Sequence, residues 1–139
     1  MPIQYNPNKG QVLMCDFSEG FKEPEMVKER AVIVFKSSGR SKLVTVIPLS
    51  SVAPNPKQNH HMVVPNMELP NTAWFKNRDS WLKGYMVYTV GWHRLSLVRM
   101  GKSTGRRNYY TGRLSLPMLK ELDKCVLNGI GLGRLEKYT

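Results

Sequence analysis

Hydrophobic residues along the first two thirds of the chain recur at spacings that are typical of short β-strands. Continuous or alternating apolar runs predict strands at residues 11–17, 30–35, 43–49, 61–64 and 80–90. Within the last run, Gly84 is expected to mark a bulge. Loops rich in charge, proline, asparagine or glycine separate these runs, so the pattern predicts antiparallel strands with irregular connections.

The last third combines a hairpin with one helix. Two further strand-like runs flank the sequence GKSTGRR and predict a β-hairpin with a basic tip, spanning about residues 96–114. Residues 116–128 predict the one helix, with Leu119 and Leu122 on its apolar stripe. Ser115 is the expected N-cap, and Gly129 the expected residue just past the helix end.

Strands followed by a closing helix indicate a mainly β fold. No internal repeat, low-complexity segment or linker divides the 139 residues, and this length corresponds to about one domain. We therefore expect a single domain over residues 1–139. Its architecture should be a small twisted β-barrel or curled sheet with a helix packed against it.

The charge of the chain is strongly and unevenly basic. Lys and Arg number 21 against 10 Asp and Glu, a formal net charge of +11. Residues 1–70 hold 8 basic and 6 acidic residues, a net of +2, and residues 71–139 hold 13 and 4, a net of +9. A surface of this kind attracts polyanions by Coulomb attraction and counterion release, which favours nucleic acid over a merely solvated surface.

Other function classes find less support in the composition. No stretch approaches the ~18 apolar residues that a membrane span requires, and the first ten residues lack the pattern of a signal peptide. The expected location is the cytoplasm. Cys15 and Cys125 lack metal-ligand spacing and are expected to be reduced core thiols rather than a disulfide.

Several segments, in order along the chain, resemble the MazF/PemK family of toxins. They are KGQV at 9–12 leading to DF at 16–17, PEMVKERAVIV at 24–34, VIPLS at 46–50, RDSW at 78–81 continuing to RL at 94–95, and NGIGL at 128–132. Each segment alone is weakly specific, but together they cover nearly the whole chain.

The resemblance implies an SH3-like barrel of antiparallel strands with a C-terminal helix, the CcdB/MazF/PemK type, usually as a homodimer. It implies a metal-independent endoribonuclease without cofactors, acting on single-stranded RNA and neutralised by a cognate antitoxin peptide. Such chemistry uses the substrate's 2′-hydroxyl as nucleophile and leaves a 2′,3′-cyclic phosphate and a 5′-hydroxyl. The protein must then place cations and hydrogen-bond donors where negative charge grows.

Four residues match positions that serve catalysis in the family. Arg30 stands at the catalytic arginine position, where a guanidinium can hold two phosphate oxygens; pairing with a loop carboxylate is the structural alternative. Ser50 stands at the Thr/Ser position, and the adjacent Ser51 is the alternative. His61 matches a histidine of some members and can exchange protons near neutral pH. Lys83 matches a basic residue of the PemK branch.

One departure bears on catalysis. The PemK branch carries a catalytic Asp two residues after the basic position, and this chain has Tyr85 there. Either another group supplies the base, or the chain binds RNA or a partner without cleaving it. A gyrase poison of the CcdB kind is a third and weaker alternative, because the chain lacks the Trp-Gly-Ile end on which that activity depends.

Cations and aromatic residues in two segments are candidates for RNA contact. Aromatic rings stack on unpaired bases while cations follow the phosphate backbone. An exposed hairpin with tyrosines packed on the barrel is the structural alternative. The loop at 18–29 is expected to close over the RNA and become ordered there. The candidates are Lys22, Lys28, Arg99, Lys102, Arg106, Arg107, Tyr109 and Tyr110.

Overall fold

The computed structural model describes residues 2–103 and 106–138, and the side chains at 101–103, 106 and 107 lie outside the described part. Eight strands and one α-helix are present among these described residues. The strands are β1 (Val12–Asp16), β2 (Glu29–Ser37), β3 (Leu43–Pro48), β4 (His61–Val64), β5 (Ser80–Lys83), β6 (Tyr88–Gly91), β7 (Leu95–Ser103) and β8 (Arg106–Tyr110). Helix α1 spans Leu116–Gly129, and four short 3₁₀-helices span Gly39–Ser41, Asn66–Glu68, Trp92–Arg94 and Gly133–Tyr138.

Six strands form one antiparallel sheet and two form a separate hairpin. The pairing order of the sheet is β6-β3-β2-β1-β7-β8, and β4 pairs with β5. The fold is mainly β with a C-terminal helix, which confirms the predicted class. The sheet runs from edge strand to edge strand within the described residues, so the barrel is not closed.

Both faces of the six-stranded sheet are buried, which explains the continuous apolar run of β2. Side chains alternate between faces along a strand. Ala31 and Ile33 accordingly join one hydrophobic cluster with β4, β5 and α1, while Val32 and Val34 join a second cluster on the other face. The hairpin β4–β5 and the helix therefore cover one side of the sheet.

The long strand predicted at residues 80–90 is wrong, because the chain turns at Gly84 and forms β5 and β6 instead. A Cβ atom at Gly84 would lie 1.9 Å from the backbone oxygen of Cys125, and one at Gly129 would lie 2.1 Å from the backbone carbon of Gly84. The helix and this turn thus meet backbone to backbone, which only glycine allows.

Both ends of the predicted helix need correction. Ser115 has the extended backbone of an N-cap, but its hydroxyl bonds the Glu68 carboxylate and caps no helical N–H. Gly129 is the last helical residue rather than the residue beyond the helix, and Gly131 takes the left-handed conformation, with φ +84°. The contact between Gly129 and Gly84 explains why glycine stands at position 129.

Cys15 and Cys125 are buried free thiols, as expected. Burial raises the pKa of Cys15 to about 12 and the pKa of Cys125 to about 11. Both side chains therefore stay protonated near neutral pH and serve as core residues. No helix among the described residues is long and apolar enough to cross a membrane.

Candidate active site

The register of the central strands places Arg30 opposite Ser50. In the β2–β3 pair Val32 faces Pro48, and the backbone N–H of Leu49 donates to the carbonyl of Ala31 over 2.8 Å. Extending this antiparallel register by one more residue aligns Arg30 with Ser50. Facing residues project from the same side of the sheet, and both side chains line one groove of about 460 Å³.

The β4–β5 hairpin joins this site through a bridge at Ser50. The Ser50 N–H donates to the Trp81 carbonyl over 2.9 Å, and the Trp81 N–H donates back to the Ser50 carbonyl over 2.8 Å. Two residues further along β5, Lys83 lines a smaller cavity of about 60 Å³ that Arg30 and Ser50 also line. The structure therefore brings together three of the four predicted catalytic residues.

Arg30 has no protein anion to neutralise it in the described part of the chain. The ion pairs there are Lys9–Asp123 and Lys124–Glu121, so the alternative in which Arg30 pairs with a loop carboxylate is not realised. Its Nε is buried without a hydrogen-bond partner. No carboxylate is among the described residues that line the groove. A half-buried guanidinium without a counterion is suited to an external anion such as a phosphate.

The Ser50 hydroxyl is oriented by the turn that follows it. Its oxygen accepts a hydrogen bond from the Val52 N–H over 3.2 Å, an arrangement in which the hydroxyl proton can still be donated. Ser50 lines both the groove and the smaller cavity, whereas the exposed Ser51 lines only the groove. This geometry favours Ser50 over Ser51 as the hydroxyl nearest to Arg30 and Lys83.

His61 lies beside Lys83 rather than among the residues that line the cavity. The two residues face each other in the β4–β5 pair, so their side chains share one face of the hairpin. Partial burial, with smaller effects from His60 and Lys83, lowers the pKa of His61 below its usual value of 6.5. The His61 Nδ1 accepts from the Gln58 N–H over 3.0 Å. The imidazole is therefore mainly neutral at pH 7 with its proton on Nε2, so Nδ1 is its basic nitrogen.

Tyr85, at the position of the PemK aspartate, lies on the exposed turn after β5. Its ring centroid is 5.2 Å from that of His60, whose own ring is 4.2 Å from His61. Tyr85 does not line the cavity that contains Arg30 and Lys83. His61, which faces Lys83 across the hairpin, is therefore the candidate base, since residue 85 carries no carboxylate.

The loop at 18–28 borders Arg30 and is already packed in this structure. Met26 lines the small cavity, and its N–H donates to the Tyr88 hydroxyl over 3.2 Å. Phe21 packs edge-on against Phe17, with centroids 5.2 Å apart. Lys28 lines a third depression together with Arg30, while Lys22 is exposed further along the loop.

The hairpin candidates are not at the Arg30 groove. Arg99 and Tyr109 face each other across β7 and β8 and line a different groove, of about 480 Å³, against the N-terminal segment. Tyr110 is half-buried against the core under the helix, the packing foreseen by the structural alternative. The side chains of Lys102, Arg106 and Arg107 lie outside the described residues.

The sequence reasoning missed one part of the groove. The loop between β4 and β5 also lines it, through Trp74, Lys76 and Arg78. The signal available in the sequence was a tryptophan within a polar, basic segment, which sequence alone does not distinguish from a core tryptophan.

These features define a small β-rich domain with a cationic groove that contains an unpaired arginine. Residues 8–126 match the family described as PemK-like, MazF-like toxin of type II toxin-antitoxin system. The chain therefore belongs to this family, as its sequence resemblance indicated.

Individual relatives are distant in sequence. An uncharacterized protein of Haemophilus influenzae is 28% identical over 102 residues, covering 66% of this chain and 71% of the relative. The crystal structure of MazF from Deinococcus radiodurans superposes with a TM-score of 0.62 at 14% identity, covering 92% of this chain and 99% of that one. A mycobacterial endoribonuclease in complex with its cognate antitoxin superposes with a TM-score of 0.60 at 14% identity, covering 91% and 96%. At these identities the structural likeness concerns the fold.

Proposed function

We propose that this protein is an endoribonuclease toxin that cleaves single-stranded RNA without a metal ion, by attack of the 2′-hydroxyl on the adjacent phosphate. The observation that carries the proposal is the convergence of Arg30, Ser50 and Lys83 on one cavity, with Arg30 lacking an anionic partner in the described part of the chain. Membership of a toxin family supports it.

The proposed reaction assigns one task to each side chain. Arg30 holds two non-bridging oxygens of the phosphate, and the Ser50 hydroxyl donates to the charge that grows in the phosphorane. Neutral His61 accepts the proton of the 2′-hydroxyl at Nδ1, in exchange for its bond from the Gln58 N–H, as the 2′-oxygen bonds to phosphorus. The bond from phosphorus to the 5′-oxygen breaks, and that oxygen takes a proton from the Lys83 ammonium. The products are a 2′,3′-cyclic phosphate and a 5′-hydroxyl.

Mapping the ends of cleaved RNA tests this function. Purified protein is incubated with a long single-stranded RNA in EDTA, and the new ends are identified chemically. We expect discrete cuts that carry 5′-hydroxyls, and loss of about 10²–10³-fold in rate in Arg30→Ala, as for removal of one donor to a developing oxyanion. Arg40→Ala is the matched control, because Arg40 is exposed in the 3₁₀-helix Gly39–Ser41. Intact RNA, or cuts that require a divalent metal, would contradict the proposal.

A second candidate is a non-catalytic module that binds RNA or a regulatory partner. The observation in its favour is Tyr85, since the carboxylate of the PemK branch is missing and residue 85 does not line the cavity. RNA that stays intact but shifts on a gel, with the shift abolished by Arg30→Ala, would support this candidate over the enzyme.

The basic hairpin is proposed to add affinity for RNA rather than chemistry. Replacing Arg106 and Arg107 together by alanine should weaken RNA binding and lower its salt dependence. Each lost phosphate contact reduces the slope of log K against log salt by about 0.7 on single strands. The measurement is the RNA affinity of wild type and variant between low and moderate salt. An unchanged slope would show that the hairpin does not contact RNA.

The proposed partners are single-stranded RNA, an antitoxin peptide and a second copy of the chain, in the cytoplasm. Family membership supports the antitoxin, and a structural neighbour was solved with its cognate antitoxin. Sedimentation of the purified protein tests the dimer, and loss of RNA cleavage on adding the antitoxin tests the inhibition.

A further inference from the structure

Trp74 is exposed at the edge of the groove that contains Arg30. Its side chain is 47% exposed, although tryptophan is among the residues that gain most from burial. Within the described part of the chain, neither hydrophobic cluster includes it. An aromatic ring left in solvent while lining a groove requires an explanation other than packing of the core.

The loop that carries Trp74 is firmly held. The next residue, Phe75, is 2% exposed and belongs to the core beneath the helix. At the base of the loop, the Asn66 N–H donates to Asp79 over 2.8 Å, and the Asn66 amide donates to the Arg78 carbonyl over 3.0 Å. Trp74 is therefore presented by an anchored turn, so its ring loses little freedom when a ligand stacks on it.

Two cations of the same loop line the groove together with Trp74. Lys76 and Asn77 both take left-handed backbone conformations, with φ of 48° and 52°, which non-glycine residues adopt at a cost. They lead the chain to Arg78, and Lys76 and Arg78 both line the groove. One groove is thus lined by an exposed indole and two cations of this loop, together with Arg30 and Ser50.

We propose that Trp74 is a stacking platform for an unpaired nucleobase adjacent to the scissile phosphate, with Lys76 and Arg78 holding the neighbouring backbone phosphates. The inference rests on the proposed function, because it adds a base subsite to the same groove. Aromatic rings and cations together form the interface that single-stranded nucleic acids prefer. A groove of about 460 Å³ lies within the range of sites for small ligands, about 300–1,000 Å³.

Binding of a non-cleavable RNA tests the platform. The probe is a fluorescein-labelled oligonucleotide of mixed sequence with 2′-O-methyl groups throughout, which lacks the attacking hydroxyl, and affinity is measured by anisotropy. Trp74→Ala should weaken binding by about 5- to 150-fold, the loss of one stacked base, and Trp74→Phe should restore most of it. Tyr138→Ala is the matched control, because Tyr138 is 76% exposed in the 3₁₀-helix Gly133–Tyr138 and does not line the groove.

Tryptophan fluorescence distinguishes stacking on Trp74 from a purely structural role of this residue, because a structural role would not make the emission depend on bound RNA. Stacking of a base on the indole should quench emission in the wild-type protein, and this quenching should be lost in Trp74→Phe even though its affinity is largely retained. Equal binding by wild type and Trp74→Ala, with RNA cleavage intact in both, would overturn the platform and leave the nuclease standing. A wild-type protein that neither binds nor cleaves RNA would overturn both.

Discussion

Replacing Arg30 by methionine should remove cleavage while stabilising the fold. Arg30 is half-buried, its Nε is buried without a partner, and the described residues give it no ion pair. A buried donor left unsatisfied costs about 1–3 kcal/mol, and an uncompensated charge adds to that cost. Methionine keeps the length of the aliphatic stem and its packing. Because the guanidinium is only partly buried, the expected gain is about 1–2 kcal/mol.

Thermal unfolding followed by circular dichroism measures this gain. For a chain of this length, about 3–5 °C corresponds to 1 kcal/mol, so Arg30→Met should raise Tm by about 3–10 °C. The same variant should lose about 10²–10³-fold in RNA cleavage. Arg40→Met, at an exposed turn position, should change stability by less than about 0.5 kcal/mol. A lower Tm in Arg30→Met would refute the reasoning, because it would show that the guanidinium stabilises the folded chain through a partner within the protein.

Two further predictions concern the turn after β5 and the electrostatic interaction of His61 with Lys83 in the β4–β5 hairpin. Gly84→Ala should lower the free energy of unfolding in urea by about 3 kcal/mol, because the added Cβ would overlap the Cys125 backbone oxygen. Gly39→Asn is the control and should be nearly neutral, because Gly39 has open space around it and a φ of +64°. Equal losses of stability in the two variants would contradict this prediction. Lys83→Met removes a charge that lowers the pKa of His61, so that pKa should rise in an NMR titration of the variant. An unchanged pKa would show that the two side chains do not interact electrostatically.

The local sequence pattern correctly predicted elements whose bounds are set by neighbouring residues rather than by distant contacts. The strand β4 (His61–Val64) was found at its predicted bounds, because two polar loops enclose a short alternating run. The predicted strand at 80–90 failed because the turn at Gly84 is required by contact with helix α1, a partner some forty residues later in the chain. Similarly, the Ser115 hydroxyl bonds Glu68, a partner that helix-capping rules do not consider.

The residues of the site that lie in recognisable motifs could be predicted, whereas those that depend on tertiary contacts could not. Arg30 and Ser50 could be selected from motif resemblance, and the antiparallel register places them together. Trp74 could not be selected, because whether a tryptophan is buried depends on the loop that presents it, here anchored by its neighbour Phe75. The separation of Arg99 and Tyr109 from the groove follows from the place of β7 and β8 at one edge of the sheet, which composition does not specify.

The glycine contact between helix α1 and the turn after β5 has a consequence for biosynthesis. The hairpin carrying Lys83 and His61 rests on helix α1, which is synthesised after it, since α1 begins at Leu116. Until that segment is synthesised, the apolar side chains of β4 and β5 lack the helix surface against which they pack. A nascent chain that has not yet completed α1 therefore lacks the surface on which the hairpin positions Lys83 and His61.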